Sequence, residues 1–293
     1  MARFYCKKSG ILIIFILALG VCLNCFSLSV KNANAMPYYD LQAQELVLRA
    51  SFSTTYISST EQRKNNIKVA SKYLDNTFID VGAEFSFNNV VGERTVSRGF
   101  KNAKIIVDGE FVDGVGGGVC QVSTTLYNAV LLSGLMVTEY HPHSLAVSYV
   151  PPSFDAMVNS GWADLRFVNN THNPILVKAV ADNNKITISI YGEKMKEKYA
   201  RQSVVTETIL APDYKIVYDE KGEFPELYQG QSLVLRNAKN GLKSQGYLIC
   251  YDGKKSTKLK IRNDKYNAIR GVLLFGTAEK QPLEQQKIEQ NEN

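Results

Sequence analysis

The sequence predicts an α+β domain, with a cysteine-bearing helix packed on short antiparallel strands, followed by a small all-β module. Three observations lead there. Apolar residues repeat at helical spacing in two segments, near residues 59–74 and 119–133. Short strand-like runs broken by turn residues surround those segments. Beyond residue 203 no helical period appears and only strand-like runs remain. With 293 residues, 45% apolar and 21% charged, the chain has material for a sizeable core in one large or two ordinary domains. Its composition excludes a wholly disordered chain, a collagen and a disulfide-dense miniprotein.

The first element is a targeting segment. Arg3, Lys7 and Lys8 precede an apolar run over 11–23, and Ala33-Asn34-Ala35 offers the small-x-small pattern of a signal peptidase site. The run is short against the roughly 20 residues of a membrane span, and an uncleaved anchor over 11–30 is the alternative. Residues 1–35 therefore read as a signal peptide or N-terminal anchor, with an exported chain beginning at Met36. Residues 36–59 form a lead segment without a clear pattern.

Ser59-x-x-Gln62 fits a capping box, and Ile67, Ala70 and Leu74 give the first helix its apolar face. Asp108-Gly109 signals a hairpin between strands at 103–107 and 110–112. The glycine-rich stretch Gly114-Val115-Gly116-Gly117-Gly118 then runs into a second helix over about 119–133. Val122, Leu126, Ala129 and Val130 form its stripe and Gly134 its stop. Strands are expected at 145–150, 165–168, 175–180 and 186–191. Residues 194–202 read as a linker and 279–293 as a disordered tail. Between them, 203–278 carries six strand-like runs, at 204–210, 215–218, 232–236, 247–251, 258–262 and 272–275.

The formal charge of +6 does not point to nucleic acid. Residues 1–35 hold four basic and no acidic side chains, leaving 30 basic against 28 acidic and a net of +2. No basic run interleaved with aromatics occurs. Export also removes Cys6, Cys22 and Cys25, so Cys120 and Cys250 remain. Two cysteines in an oxidising compartment suggest one disulfide; a reactive thiol plus a buried structural one is the alternative. Cys250 shares a strand face with Leu248, which favours a buried thiol there.

Cys120 stands directly after the glycine turn, on the first turn of the second helix. Free N–H groups and the helix dipole favour an anion at that place and lower a thiol from its usual pKa of about 8.5. Main-chain N–H groups around Gly117, Gly118 and Val119 can approach a substrate carbonyl as an oxyanion hole. The alternative is a core or disulfide cysteine. A thiol nucleophile needs a base. His143 is preferred over His141, both standing just ahead of an expected strand, whereas His172 lies in a turn and reads as surface. Asp155 and Asp164 are candidate orienters of the histidine, or else turn caps. Gln121 and Ser123 are further candidates for orienting or binding substrate.

Cys120, His141, His143 and Asp155 also make a conceivable zinc set, but no CxxC or HExxH accompanies them, and no metal is assigned. The glycine run has neither GxGxxG spacing nor a Walker lysine, so no nucleotide or other cofactor is expected. Trp162, the single tryptophan, reads as a core aromatic rather than the wall of a sugar or peptide groove.

Several strings together resemble the VanW family. They are Phe85-Ser86-Phe87-Asn88, Val91-Gly92, the run from Gly116 through Cys120-Gln121-Val122-Ser123-Thr124-Thr125 to Asn128, and His141-Pro142-His143-Ser144. Tyr149-Val150-Pro151-Pro152, Asp155-Ala156 and Asp164-Leu165 belong to the same pattern, and the resemblance covers about 60–193. The chain departs from that pattern at Tyr140, where a basic residue is usual, and at Ser153-Phe154, where Gly-Arg is usual. Residues 203–278 resemble a diverged G5 module, with Gly230-Gln231 and Gly276-Thr277 in place but several glycines missing.

The resemblance implies an exported cell-wall protein of the Gram-positive type and, in some members, a peptidoglycan L,D-transpeptidase. It assigns the nucleophile to Cys120 and the base to His143. The implied partners are peptidoglycan stem peptides and, through the G5-like module, wall glycan, with no nucleic acid and no membrane beyond the N-terminal segment. A Cys-His wall carboxypeptidase or endopeptidase, and a non-enzymatic wall-binding accessory protein linked to glycopeptide resistance, are the rival readings.

Overall fold

The computed structural model describes residues 46–107, 110–182 and 184–279. The expected targeting segment, the Asp108-Gly109 turn and most of the expected tail lie outside the described residues. Strand β1 (Val47–Thr55) occupies part of the lead segment in which the sequence shows no pattern. Helix α1 (Glu61–Leu74) follows. Its N-cap is Thr60, whose side chain accepts from the Arg63 N–H, one residue later than the capping-box reading places it. Ile67, Ala70 and Leu74 are fully buried, as their spacing requires.

Strands β2 (Thr77–Ile79) and β3 (Glu84–Ser86) and the short helix α2 (Phe87–Val91) lead to a hairpin of β4 (Asn102–Val107) and β5 (Glu110–Val115). Its register sets Val107 opposite Glu110, leaving the two-residue connection that Asp-Gly favours. Gly116 and Gly118 then take φ of 93° and 111°, a region that only glycine enters without strain. They turn the chain into helix α3 (Val119–Leu132), and Gly134, at φ 69°, ends it.

Strands β6 (Met136–Glu139), β7 (Arg166–Val168), β8 (Ile175–Asp182) and β9 (Lys185–Gly192) complete this part. One antiparallel sheet has the order β1-β9-β8-β2, and a second the order β3-β7-β6. Helix α3 packs on β1 and β9, and α1 on β8. The core lies between, where Ile175, Val177, Ile186, Ile188 and Ile190 meet Ile67, Leu74, Val122 and Leu126. The strand expected at 145–150 does not form. Leu145, Val150 and Phe154 are buried singly along an irregular path, and Ser144 O is taken by Asn267 N at 2.7 Å rather than by a neighbouring strand.

All six strand-like runs of the β module form, several of them longer than expected. They are β10 (Lys198–Ile209), β11 (Lys215–Tyr218), β12 (Ser232–Arg236), β13 (Gly241–Tyr251), β14 (Ser256–Tyr266) and β15 (Val272–Phe275). Strand β10 starts inside the stretch expected as linker because Lys198 to Gln202 pair with β13. The sheets have the orders β10-β13-β14 and β11-β15-β12. The first is laid against the irregular segment between β6 and β7. Ser244 Oγ lies 2.7 Å from Ser153 Oγ, and a Cβ on Gly246 would come within 3.0 Å of Ser153. No helix among the described residues is long and apolar enough to cross a membrane.

One buried side chain ties the glycine turn to α1. Asn66 donates to Lys101 O at 2.9 Å and Gly117 O at 3.0 Å, and accepts from Lys101 N at 2.7 Å. Asn66→Ala strips three main-chain groups of their partner, that of Gly117 buried and the two of Lys101 part-buried, and the stability in urea falls by about 1–3 kcal/mol with little change in m. A loss under about 0.5 kcal/mol, the range of an ordinary surface substitution, contradicts that role.

Candidate active site

Helix α3 is enclosed on nearly every side. Among its 14 residues only Cys120 and Leu132 are not fully buried. The helix is held in place by polar side chains at its first turns. Gln121 donates to Thr54 Oγ1 at 3.1 Å and Thr55 O at 2.9 Å and accepts from Arg63. Ser123 Oγ donates to Ala156 O at 2.6 Å. Both therefore act as internal fasteners, and neither is placed to touch a substrate.

The Cys120 thiol lies 3.4 Å from Val158 O and hydrogen-bonds to the His143 imidazole. His143 donates both its main-chain N–H and its Nδ1–H to Asp155 Oδ2, each at 2.7 Å. With Nδ1 engaged by the carboxylate, Nε2 is the ring nitrogen left for the thiol. Cys120, His143 and Asp155 are thus brought together in one chain of contacts from thiol to imidazole to carboxylate, the order that a nucleophile, its base and the base's orienter require. Asp155 is fully buried and His143 nearly so.

Burial alone pushes the thiol up and the imidazole down. At Cys120 the hydrogen bond and charge of His143 reverse this and leave the pKa below its ordinary value; at His143 the Asp155 hydrogen bond, followed by the hydrogen bond and charge of Cys120, raises the pKa to about 9. Arg94 adds a smaller pull on the thiol. Burial likewise opposes the Asp155 charge, and the His143 hydrogen bond, the Arg262 charge and the Tyr266 hydroxyl outweigh it, so its pKa is lowered. The opposite shifts of Cys120 and His143 favour the thiolate–imidazolium form of the pair.

The remaining candidates go elsewhere. His141 points to Glu139, with Nε2 2.9 Å from Oε1, and stands edge-on to Trp162. His172 is exposed. Asp164 accepts from Ser86 Oγ, Asn88 N and Leu165 N and pairs with Arg166, so it holds the start of α2 rather than a histidine. The conceivable zinc set is not convergent, because His141 and His143 take different partners; among the described residues no cluster of three or more ligating side chains could hold a metal ion. Cys120 and Cys250 are not joined in a disulfide. Of the main-chain donors expected to meet an oxyanion, Val119 N–H is already given to Gly116 O at 3.1 Å, whereas among the described residues no main-chain acceptor takes the N–H groups of Gly117 and Gly118, nor that of the neighbouring Cys120.

Three features escape the sequence. Trp162 is 65% exposed rather than in the core, and it lines a cleft of about 570 Å³ with Asn88, Arg94, Glu139 and Arg166. Arg94, in that wall, donates to Ser160 Oγ and Asn88 Oδ1, both neutral, and among the described residues it pairs with no carboxylate. Asp155 is contacted from the β module: Tyr266 OH donates to Oδ1 at 2.5 Å, and the Arg262 guanidinium reaches both the Asp155 carbonyl and Oδ1. No local pattern signals contacts more than 100 residues apart.

Residues 62–191 match a family model described as VanW like protein. The chain carries a VanW-family domain. Over 171 residues it is 44% identical to the uncharacterized protein YoaR of Bacillus subtilis, covering 56% of this chain and 55% of that protein. Over 142 residues it is 27% identical to the vancomycin B-type resistance protein VanW of Enterococcus faecalis, covering 47% and 52%. The chain therefore spans about half the length of the curated relatives it matches. Against solved structures, the IgA1 protease G5 domain matches 30% of the chain at 17% identity and a TM-score of 0.19. The HP0197 G5 domain matches 28% at 22% identity and 0.16. Likeness that slight does not define the fold of the β module. The VanW domain contains Cys120, His143 and Asp155; Arg262 and Tyr266 lie beyond its matched end.

The pKa directions give a pH signature. Alkylation of Cys120 by iodoacetamide, followed by intact mass, is expected to reach half its maximal rate below the ordinary thiol value of about 8.5. In His143→Ala the profile moves to higher pH, because the cationic partner that favours the thiolate is gone. Coincident profiles in the two proteins contradict the ion pair.

Proposed function

We propose that this chain is a cell-wall acyl-transfer enzyme, an L,D-transpeptidase acting on peptidoglycan stem peptides. The observation that carries this reading is the Cys120–His143–Asp155 relay at the head of a buried helix, with the Arg94 guanidinium near enough to act on the thiol. The Cys120 thiolate attacks the carbonyl of the diamino acid at stem position 3, forming a C–S bond. The oxyanion is met by the N–H groups of Gly118 and Cys120. The intermediate collapses, the bond to the terminal D-Ala breaks, and His143 gives its proton to the departing amine. The side-chain amine of a second stem, losing its proton to His143, then attacks the thioester. The C–S bond breaks, the thiolate returns, and a 3→3 crosslink is left. Water in place of that amine makes the same site an L,D-carboxypeptidase.

Arg94 supplies the recognition this chemistry needs. Its charge is partly buried, its hydrogen bonds go to neutral oxygens, and it lies close enough to Cys120 to lower the thiol's pKa. A substrate ending in a free carboxylate one residue beyond the scissile bond fits that position. The VanW relative's connection with vancomycin resistance supports a wall substrate and, with it, an exported protein.

The test uses residues 36–293 with tetrapeptide muropeptides and mass spectrometry. A dimer lacking one D-Ala is expected with the wild type and not with Cys120→Ala. Product formation falls by about 10²–10⁴ in His143→Ala, the range of general acid–base catalysis. A monomer short of one D-Ala instead assigns carboxypeptidation, and loss of existing crosslinks an endopeptidase. Unchanged substrate with a folded wild-type protein overturns the enzymatic reading in favour of a wall-binding accessory protein. Arg94→Met is expected to raise KM far more than it lowers kcat; a fall in kcat alone removes Arg94 from recognition.

A further inference from the structure

We infer that the β module is a working part of the active site: Arg262 and Tyr266 on β14 are positioning residues that hold Asp155, and through it His143, in line with Cys120. The inference deepens the reading above for the same site, but its test needs no substrate.

Asp155 is a carboxylate with no exposed surface, and a buried charge persists only when its lone pairs are met by donors. The family domain supplies half of that shell, the two N–H groups of His143 on Oδ2. The module supplies the other half on Oδ1. Tyr266 OH donates at 2.5 Å, and Arg262 Nη2 lies at 3.5 Å while Nη1 grips the Asp155 carbonyl. Neither module residue is loosely placed. Tyr266 OH also accepts from Ser153 N at 2.7 Å, two residues before Asp155. Arg262 is itself aligned by Asp264, with Nε 2.9 Å from Oδ2, and stacks over the rings of Tyr127 and Tyr140.

On its other side α3 holds the main chain of this segment, with Ser123 donating to Ala156 O, Thr124 accepting from Ala156 N and Asn128 donating to Phe154 O, but none of these bonds reaches the Asp155 carboxylate. Residues between β6 and β7 form no strand that could fix Asp155, and Ser153 sits at φ 65°, a conformation unfavourable for a residue with a Cβ. Tyr266 and Ser244 are the groups that bond Ser153 in that conformation. Arg201 on β10 adds a cation over the Phe154 ring. A module serving only as a spacer or a glycan reader has no need to direct a buried guanidinium and a phenol at one carboxylate oxygen.

The experiment is the pH profile of Cys120 alkylation in the full exported chain, with circular dichroism and thermal melting to establish the fold. Tyr266→Phe keeps the ring and removes one donor; Arg262→Lys keeps the charge and removes the planar fork. Loosening Asp155 weakens the hydrogen bonds that hold His143 beside the thiol, slows alkylation near pH 7 about tenfold and moves the profile upward. Lys239→Ala removes a module contact that does not touch Asp155, the bond from Nζ to Ala146 O at 3.3 Å, and leaves the profile unchanged.

Wild-type profiles in folded Tyr266→Phe and Arg262→Lys overturn the inference. So does an equal shift in Lys239→Ala, which assigns the effect to docking in general. If a variant fails to fold, the wild type decides. Carboxyl-carbon NMR is expected to show Asp155 titrating below the ordinary aspartate range, and titration within that range overturns the inference. Failure of muropeptide turnover alongside shifted profiles would remove the transpeptidase reading and leave this one standing.

Discussion

A negative charge enclosed in the protein interior sets the terms for the site. Asp155 has no exposed surface, so its charge depends on donors arriving from three directions: His143 from its own segment, Tyr266 from the end of β14, and Arg262 from the middle of it. Loss of any one leaves a buried charge short of partners, which is costlier than never having buried the group. The irregular path between β6 and β7, the docking of the β10-β13-β14 sheet and the tautomer of His143 all follow from satisfying this carboxylate. Its reward in chemistry is an imidazole whose free nitrogen faces a thiol.

The thiol's own setting is built by a different rule. Gly116 and Gly118 reverse the chain in a conformation closed to other residues, and α3 starts one residue later. A helix that begins so abruptly leaves N–H groups without intrahelical partners beside its first side chain. Ser123 and Gln121 then pin that first turn to the 156 strand-like path and to β1. Cys120 is thereby held at a point where an anion is favoured, and the Arg94 guanidinium adds a further favourable charge. Preorganised donors of this kind act on a developing oxyanion without having to move.

Much of this was legible in the sequence, and the limits have a physical pattern. Glycine and helical periodicity are local signals, and they located α3, its start, its stop and Cys120. The alternating isoleucines at 186, 188 and 190 gave β9 its buried face, and the strands of the β module were placed well because each has its own turn residues. His143 and Asp155 could be named from residue type. Their pairing stood as one of two that residue type allowed, Asp164 offering the other, because the choice is fixed by a loop whose apolar residues mimic a strand at 145–150 while its main chain bonds to distant elements. Trp162 was misread for a related reason: an aromatic in a loop carries no period to say which way it faces. Arg262 and Tyr266 gave no signal, because their function depends on a fold-level contact that joins residues more than 100 positions apart.

The central claim is that Cys120 carries the acyl group. Its most direct test is rapid acid quenching of the wild-type chain with a tetrapeptide stem whose side-chain amine is acetylated, so that no acceptor amine is present, followed by intact mass and peptide mapping. The account predicts a hydroxylamine-sensitive adduct on the peptide containing Cys120, heavier by the mass of the tetrapeptide stem less one free D-Ala, the only product released on acylation. Turnover without any such adduct, or an acyl group mapped to another residue, would contradict it.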